Sequence, residues 1–292
     1  MIRTNENQLV KIAIEGKVSP PSVWPNEVGH DGQVHNVPAV GGITYNVIVG
    51  DSAFGWAADH VEPGVSAIVN HEKRSEKPNV AFNFLACVGN DAIVISGEAK
   101  GKKGVVIGHH GGVEHVMIDF AEDVLEKLTN DDKFQIRAIG QGQKLLDYPQ
   151  IRVSSLDPRL LQKMGIKEKK GKLEVPVAGI VPGKLMGSGL GSLNVHTGDY
   201  DIMTSDRDVL KKHQIDHLKL GDVIAITDID ASYGWRYLTG AVMIGVVIHG
   251  DSHASGHGPG VTSIMTSPAG DIIPVIAKDA NIGKYLKLGR YR

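Results

Sequence analysis

Residues 91–106 read DAIVISGEAKGKKGVV. Apolar side chains alternate into Gly97, the pair Lys100-Gly101 suits a tight turn, and Gly104 launches a second run, GVVIGHH at 104–110. Glycine permits the positive φ that such corners demand, so the stretch predicts two short strands joined by a compact turn. The same rhythm extends in both directions. Upstream lie KIAIEG (11–16) and ITYNVIVG (43–50); downstream lie HVMIDF (115–120), FQIRAIG (134–140), LEVPVAGIV (173–181), DVIAITDID (222–230) and AVMIGVVIHG (241–250). Each has strand length and is bounded by Gly, Pro, Asn or Asp. Helical signals are few: Asp157-Pro158 before RLLQKMG, Asp206 before RDVLKKHQI, and AEDVLEKL at 121–128. Asp157 and Asp206 can cap the first two, and Pro158 suits the first helical position of the former.

The stretch 91–106 resembles the KOW motif of small SH3-like barrels, matching at Gly97, Lys100, Gly101, Gly104 and Val106. That resemblance implies a small barrel near residues 88–140. RNA binding does not follow from it. Between Gly89 and Phe120 three Lys stand against Asp91, Glu98, Glu114 and Asp119, and an RNA-binding face is usually basic.

Composition agrees with a mainly β protein of the sandwich or barrel type with few short helices. The 292 residues hold 36 Gly, where ordinary usage of about 7% gives roughly 20. Aromatics are 5%, so Val, Ile, Leu and Ala must build the core. The charged segment IKEKKGKLE (166–174) breaks the apolar rhythm for longest and divides a β domain at 1–165 from a second at 166–292. A solvated linker or hairpin tip accounts for Lys167, Lys169, Lys170 and Lys172 better than a phosphate patch does.

Thirty-one basic against 33 acidic side chains leave a formal charge of −2, which disfavours nonspecific nucleic-acid binding. No apolar run reaches the length of a membrane helix, and the opening residues carry no secretory h-region. The single cysteine, Cys87, lies among apolar neighbours and reads as a buried, inert thiol. A cytoplasmic location is expected, with exposed strand edges leaving assembly into a homo-oligomer open.

Chemistry concentrates in the histidines. Of 13, His109, His110 and His115 fall in GHHGGVEH, His196 in HTGDYD, and His249, His253 and His257 in HGDSHASGHGPG. If AVMIGVVIHGDSH continues as a strand, His249, Asp251 and His253 share one face. An imidazole and carboxylate set suits zinc first, with manganese, iron or nickel as alternatives, because borderline metals accept nitrogen and oxygen together. Asp199 and Asp201 alternate likewise beside His196. The metal ligands expected are therefore Asp199, Asp201, His249, Asp251 and His253, with His196 or His257 as proton carriers. Whether His109, His110 and His115 join them is open at this level. Trp56, Asp59 and His60 are candidates for a pocket wall, although packing is the commoner use of a tryptophan. The Gly187–Gly191 run is too short for a dinucleotide fingerprint, and no nucleophile elbow surrounds Ser252 or Ser255.

The segments at 50–66, 100–120 and 249–260 resemble a family of uncharacterised proteins over nearly the whole chain. The last third also resembles the metal-dependent acetamidase/formamidase family. Its His-Gly-Gly-Asn-x-Asp segment is similar to His196-Thr197-Gly198-Asp199-Tyr200-Asp201, and its Gly-Asp-x-His-Ala segment to Gly250-Asp251-Ser252-His253-Ala254. Asp199 replaces the family's Asn, and His257-Gly258-Pro259-Gly260 replaces its Gly-Asp-Gly-Glu, so position 260 supplies no carboxylate. Two functions are in contention: a metal-dependent hydrolase of a small amide-like substrate, and a noncatalytic binding or assembly module. They part on whether the side chains of 196–201 and 249–257 meet in one cleft.

Overall fold

A computed structural model describes residues 2–193 and 195–292. Strands Ile12–Val18, Lys133–Ala138, Asp91–Val94, Lys103–His110, His115–Asp119 and Gly64–Ile68 follow one another in space. The last returns to the first, Lys17 facing Ile68 and Val18 facing Ala67, so the six close into a barrel. The region 88–140, where the resemblance implies a small barrel, thus supplies four of the strands, and the two that close the ring come from residues 12–18 and 64–68. Four twisted strands alone would leave two open edges; borrowing the flanking pair removes them. Inward positions alternate as the sequence predicts: Phe134, Ile136 and Ala138 pack on Ala92, Val94, Val106 and Ile118. The turn glycines Gly97 and Gly101 stand at φ 61° and 87°. Gly104 serves differently, for a Cβ there would lie 2.6 Å from the Phe120 ring.

The second half builds a sheet from Arg152–Val153, Gly260–Ser267, Arg236–Val247, Val223–Asp230 and Gly179–Pro182, with Tyr200–Asp201 pairing onto Gly260–Ser267. A smaller sheet holds Lys167–Lys169, Lys172–Val177 and Ile272–Ile276. The charged run at 166–174 is a hairpin whose tip, Lys170 and Gly171, has positive φ at both residues. LEVPVAGIV, which reads as one strand, breaks at Ala178 into two strands of different sheets. In ITYNVIVG only Ile43–Thr44 is strand. The Asp51 carboxylate accepts the Ile48 N–H and turns the chain, and Val47 and Val49 plug two cores. Both Asp-capped helices form, Pro158–Lys163 and Arg207–Lys212, with the cap carboxylates accepting backbone N–H groups at 2.7–3.1 Å. Helix Lys77–Leu85 has Pro78 in its first turn but no capping side chain, and it is held by packing, with the Phe82 ring seated against Gly16.

One core crosses both halves: Val88, Ile107 and Met117 of the first pack with Val175, Val223, Ile244 and Ile264 of the second. The barrel strand Lys103–His110 lies against Gly260–Ser267, where the His109 N–H donates to Thr262 Oγ1 at 2.9 Å. This seam fixes the ends of several strands together, and the histidines lie at those ends. Among the described residues no helix is long and apolar enough to cross a membrane.

Asp119, at the end of its barrel strand, is buried beneath Arg292, which donates to Oδ2 while Oδ1 has no partner. Burial outweighs the guanidinium and pushes this carboxyl up from 3.8 to about 6. A carboxyl whose folded pKa exceeds its unfolded value binds its proton more tightly when folded. The stability it adds is therefore complete below pH 3.8 and lost as pH rises through about 6. That amounts to roughly 3 kcal/mol. Unfolding free energies from urea titrations should fall by about 2 kcal/mol between pH 4 and 7 in the native chain and lose that slope in Asp119→Asn; equal slopes would remove Asp119 as the cause.

Candidate metal centre

The site forms at the seam, where loops and strand ends from both halves meet. His60 and Glu62 precede strand Gly64–Ile68, and His110 ends Lys103–His110. Asp199 and Asp201 flank Tyr200, His249 follows Arg236–Val247, and His257 precedes Gly260–Ser267. Register explains part of the convergence, because Asp201 faces Gly260 across the ladder.

Two triads of donor atoms result, His110/Asp199/His249 and His60/Asp201/His257, in each of which the ligating atoms lie within 4.8 Å of one another. In the first, His249 Nε2 is 2.8 Å from Asp199 Oδ2, and its Nδ1 donates to the Gly250 carbonyl at 2.8 Å. The His110 and His249 rings stack with centroids 4.1 Å apart. His110 Nδ1 donates to Glu62 Oε1 at 2.7 Å, which leaves its Nε2 as the free nitrogen. The Gly111 N–H occupies Asp199 Oδ1 at 2.8 Å, leaving Oδ2 for the centre. In the second triad Asp201 Oδ2 lies 3.0 Å from His257 Nδ1 and 3.7 Å from His60 Nε2, and the two imidazole nitrogens stand 3.1 Å apart. His60 Nδ1 is held by Asp59. His60 takes a left-handed backbone, φ 51°, pinned by its N–H on the Asp251 carbonyl at 3.0 Å.

Charge explains the protonation pattern. Burial lowers the His60 pKa, but Asp201 and Asp59 outweigh it and raise the imidazole to about 10. Burial likewise works against His249, and Asp199 with Asp201 raises it nonetheless. For His110, burial and the neighbouring His249 prevail, and its pKa is lowered. Asp201 resists burial through His257 and His60 and stays well below the usual carboxylate range. Buried carboxylates are thus balanced by protons on imidazoles. A divalent cation supplies the same positive charge and displaces those protons, which is the usual exchange on metal binding. Three imidazoles whose outer nitrogens are tied down, with their inner nitrogens turned to two carboxylates, are the donor set that a borderline divalent metal takes. The residues fit the group.

The floor opens into a cavity of about 420 Å³ whose wall includes Trp24, Arg74, Ser188, Trp235 and the glycine pairs 111–112 and 189 with 198. A volume of that order suits a small molecule.

The residues singled out from the sequence divide. Asp199, Asp201, His249 and His257 meet at the centre, and His110, left open there, joins them. Asp251 and His253 do not. Strand Arg236–Val247 ends at Val247, so the expected shared face never forms. Beyond it the N–H groups of Gly250 and Asp251 bond Val61 and Ala53, drawing the chain toward the 53–61 loop. The Asp251 carboxylate pairs with Arg207, and the His253 ring stacks on His35 at 3.7 Å. His196 also lies off the cavity, its ring against Phe84 with Nδ1 buried and unpartnered. Trp56 donates to the Ser52 carbonyl and packs against a core. Of the proposed wall residues, His60 reaches the centre and Asp59 orients it. Glu62 escaped the sequence reading altogether; its only signal was the His-x-Glu spacing at 60–62.

A family model described as "Domain of unknown function (DUF4438), N-terminal" matches residues 26–162, and its C-terminal counterpart matches 163–286. The solved structure titled "Crystal structure of TM1086" is similar at TM-score 0.92 and 48% identity, covering 97% of this chain and 99% of that one. No curated protein matches.

Proposed function

This chain belongs to the DUF4438 family from residue 26 to 286, and from that premise we propose that it is a metal-dependent hydrolase of a small amide-like substrate. The observation that carries the reading is the buried triad His110/Asp199/His249 at the floor of a small-molecule cavity. A divalent cation held there would polarise a substrate carbonyl and acidify water. Glu62 and the Gly250 carbonyl lock the two imidazole rings, and the Gly111 N–H limits Asp199 to one free oxygen. His60, Asp201 and His257 line the same cavity beside His110 and Asp199, and a substrate would lie across them. The resemblance to acetamidases and formamidases enters through Asp199 and Asp201; its Gly-Asp-x-His-Ala counterpart lies outside the centre.

The test pairs metal content with turnover. Chain stripped by chelator and reloaded with zinc or manganese should hydrolyse short aliphatic amides, and Asp199→Ala should lose both metal and turnover. His253→Ala, whose ring touches His35 and not the centre, should keep its metal and its rate within about twofold, with a stability change under about 1 kcal/mol. Metal retained in full by Asp199→Ala would end the proposal, as would hydrolysis indifferent to the chelator.

A further inference from the structure

We infer that the centre holds two divalent cations, the second in the triad His60/Asp201/His257. The inference rests on reading the inner triad as a cation site. The device that prepares the inner triad is repeated in the outer one: a buried carboxylate, Asp59, occupies His60 Nδ1 as Glu62 occupies His110 Nδ1. A carboxylate on the far nitrogen of a ligating histidine fixes its tautomer and raises its basicity. Asp59 is itself anchored, its Oδ2 accepting the His253 N–H at 3.2 Å. The outer triad also holds an arrangement that asks for a cation, since His60 Nε2 and His257 Nδ1, 3.1 Å apart, face one oxygen of Asp201 at 3.7 and 3.0 Å.

The two triads abut. Asp201 Oδ1 lies 3.8 Å from His249 Nε2, so the two oxygens of this carboxylate face different triads. The His60 and His249 rings have centroids 5.1 Å apart. Hydrolytic sites with two cations hold them roughly 3.5–4 Å apart, which requires ligand sets in contact, and they clamp both the attacking and the departing groups of the substrate. All three residues of the outer triad line the cavity, whereas His249 of the inner one does not, and His257 is the most exposed of the six, so the outer cation would be the more readily exchanged.

Manganese alone is the probe. Calorimetric titration of chelator-stripped chain, with elemental analysis of the washed product, should give two equivalents per chain, and the pair should show the exchange-coupled spin-resonance spectrum of neighbouring Mn²⁺ ions. His257→Ala, the variant least buried among the six, should retain one equivalent and weaken the other by about 100-fold. One equivalent in the native chain, lost in His249→Ala and kept in His257→Ala, would overturn the second site and leave the hydrolase reading standing. Two equivalents unchanged in His257→Ala would place the second ion elsewhere and likewise overturn it. No equivalent at all would overturn both readings.

Discussion

Replacing Gly260 by alanine is expected to abolish tight cation binding while leaving the fold in place. A Cβ at this position would lie 1.9 Å from Asp199 Oδ2 and 2.3 Å from His249 Nε2, inside the 2.8 Å hydrogen bond that joins them. The backbone at Gly260 does not adopt a left-handed conformation, so alanine meets no torsional objection and its effect is purely steric. His249 has nowhere to go, being fully buried with its ring stacked on His110. Asp199 must swing away, which also costs the Gly111 N–H its acceptor. Overpacking of this kind costs about 1–3 kcal/mol, a tolerable loss for a chain of this size. Separating two ligands of one ion costs far more in affinity, on the order of 100-fold or greater. Metal titration beside thermal unfolding checks both halves: a folded Gly260→Ala chain that binds manganese as the native one does would remove Asp199 and His249 from the centre. The position also explains a departure noted in the sequence. Where the acetamidase pattern runs on to Glu, this chain needs the absence of any side chain.

Strand alternation is legible in Asp91–Val94 and Lys133–Ala138, which bury every second residue, whereas Gly64–Ile68 and His115–Asp119 are buried on both faces and read as short apolar runs. Caps located two helices for a similarly local reason, Asp157 and Asp206 each satisfying N–H groups within three residues. Closure of the barrel is not local. Nothing in residues 12–18 or 64–68 marks them as mutual partners until the strands between have twisted round. The site shows the same division. Asp199, Asp201, His249 and His257 were legible because glycine turns hold short polar segments rigid. A period-two argument puts Asp251 and His253 on the face of His249, and it fails because the strand ends at Val247. His60 is legible only as a candidate pocket wall; its place in a triad, that of His110 and the part of Glu62 depend on the barrel seam, to which a linear reading has no access. Sequence spacing reports which groups can share a face of one element, and this centre draws on five.

Removing Glu62 should cost both stability and cation affinity. Its carboxylate is almost wholly buried and takes donors on both oxygens: His110 Nδ1 and His115 Nδ1 at 2.7 and 3.0 Å on Oε1, Ser66 Oγ and the Gly41 N–H at 2.6 and 2.7 Å on Oε2. Burial alone would raise its pKa, but His115 and His110 hold it well below the usual value, so the group is an anion in a shell built of donors. Glu62→Ala strands those donors in the interior, and breaking a buried charged network costs about 3–5 kcal/mol. Glu62→Gln keeps the shape and isolates the charge. An amide offers one accepting oxygen and one donating nitrogen, so at least one of the donors must then face an N–H₂ group, at a cost of about 1–3 kcal/mol. Urea denaturation should therefore rank native above Gln above Ala. Manganese affinity tells a strut from an orienting group, because only the second loses affinity, by about 10- to 100-fold, in a Gln variant that remains folded. Affinity unchanged in that variant would mean that His110 keeps its direction without Glu62, and the carboxylate would then serve the fold alone.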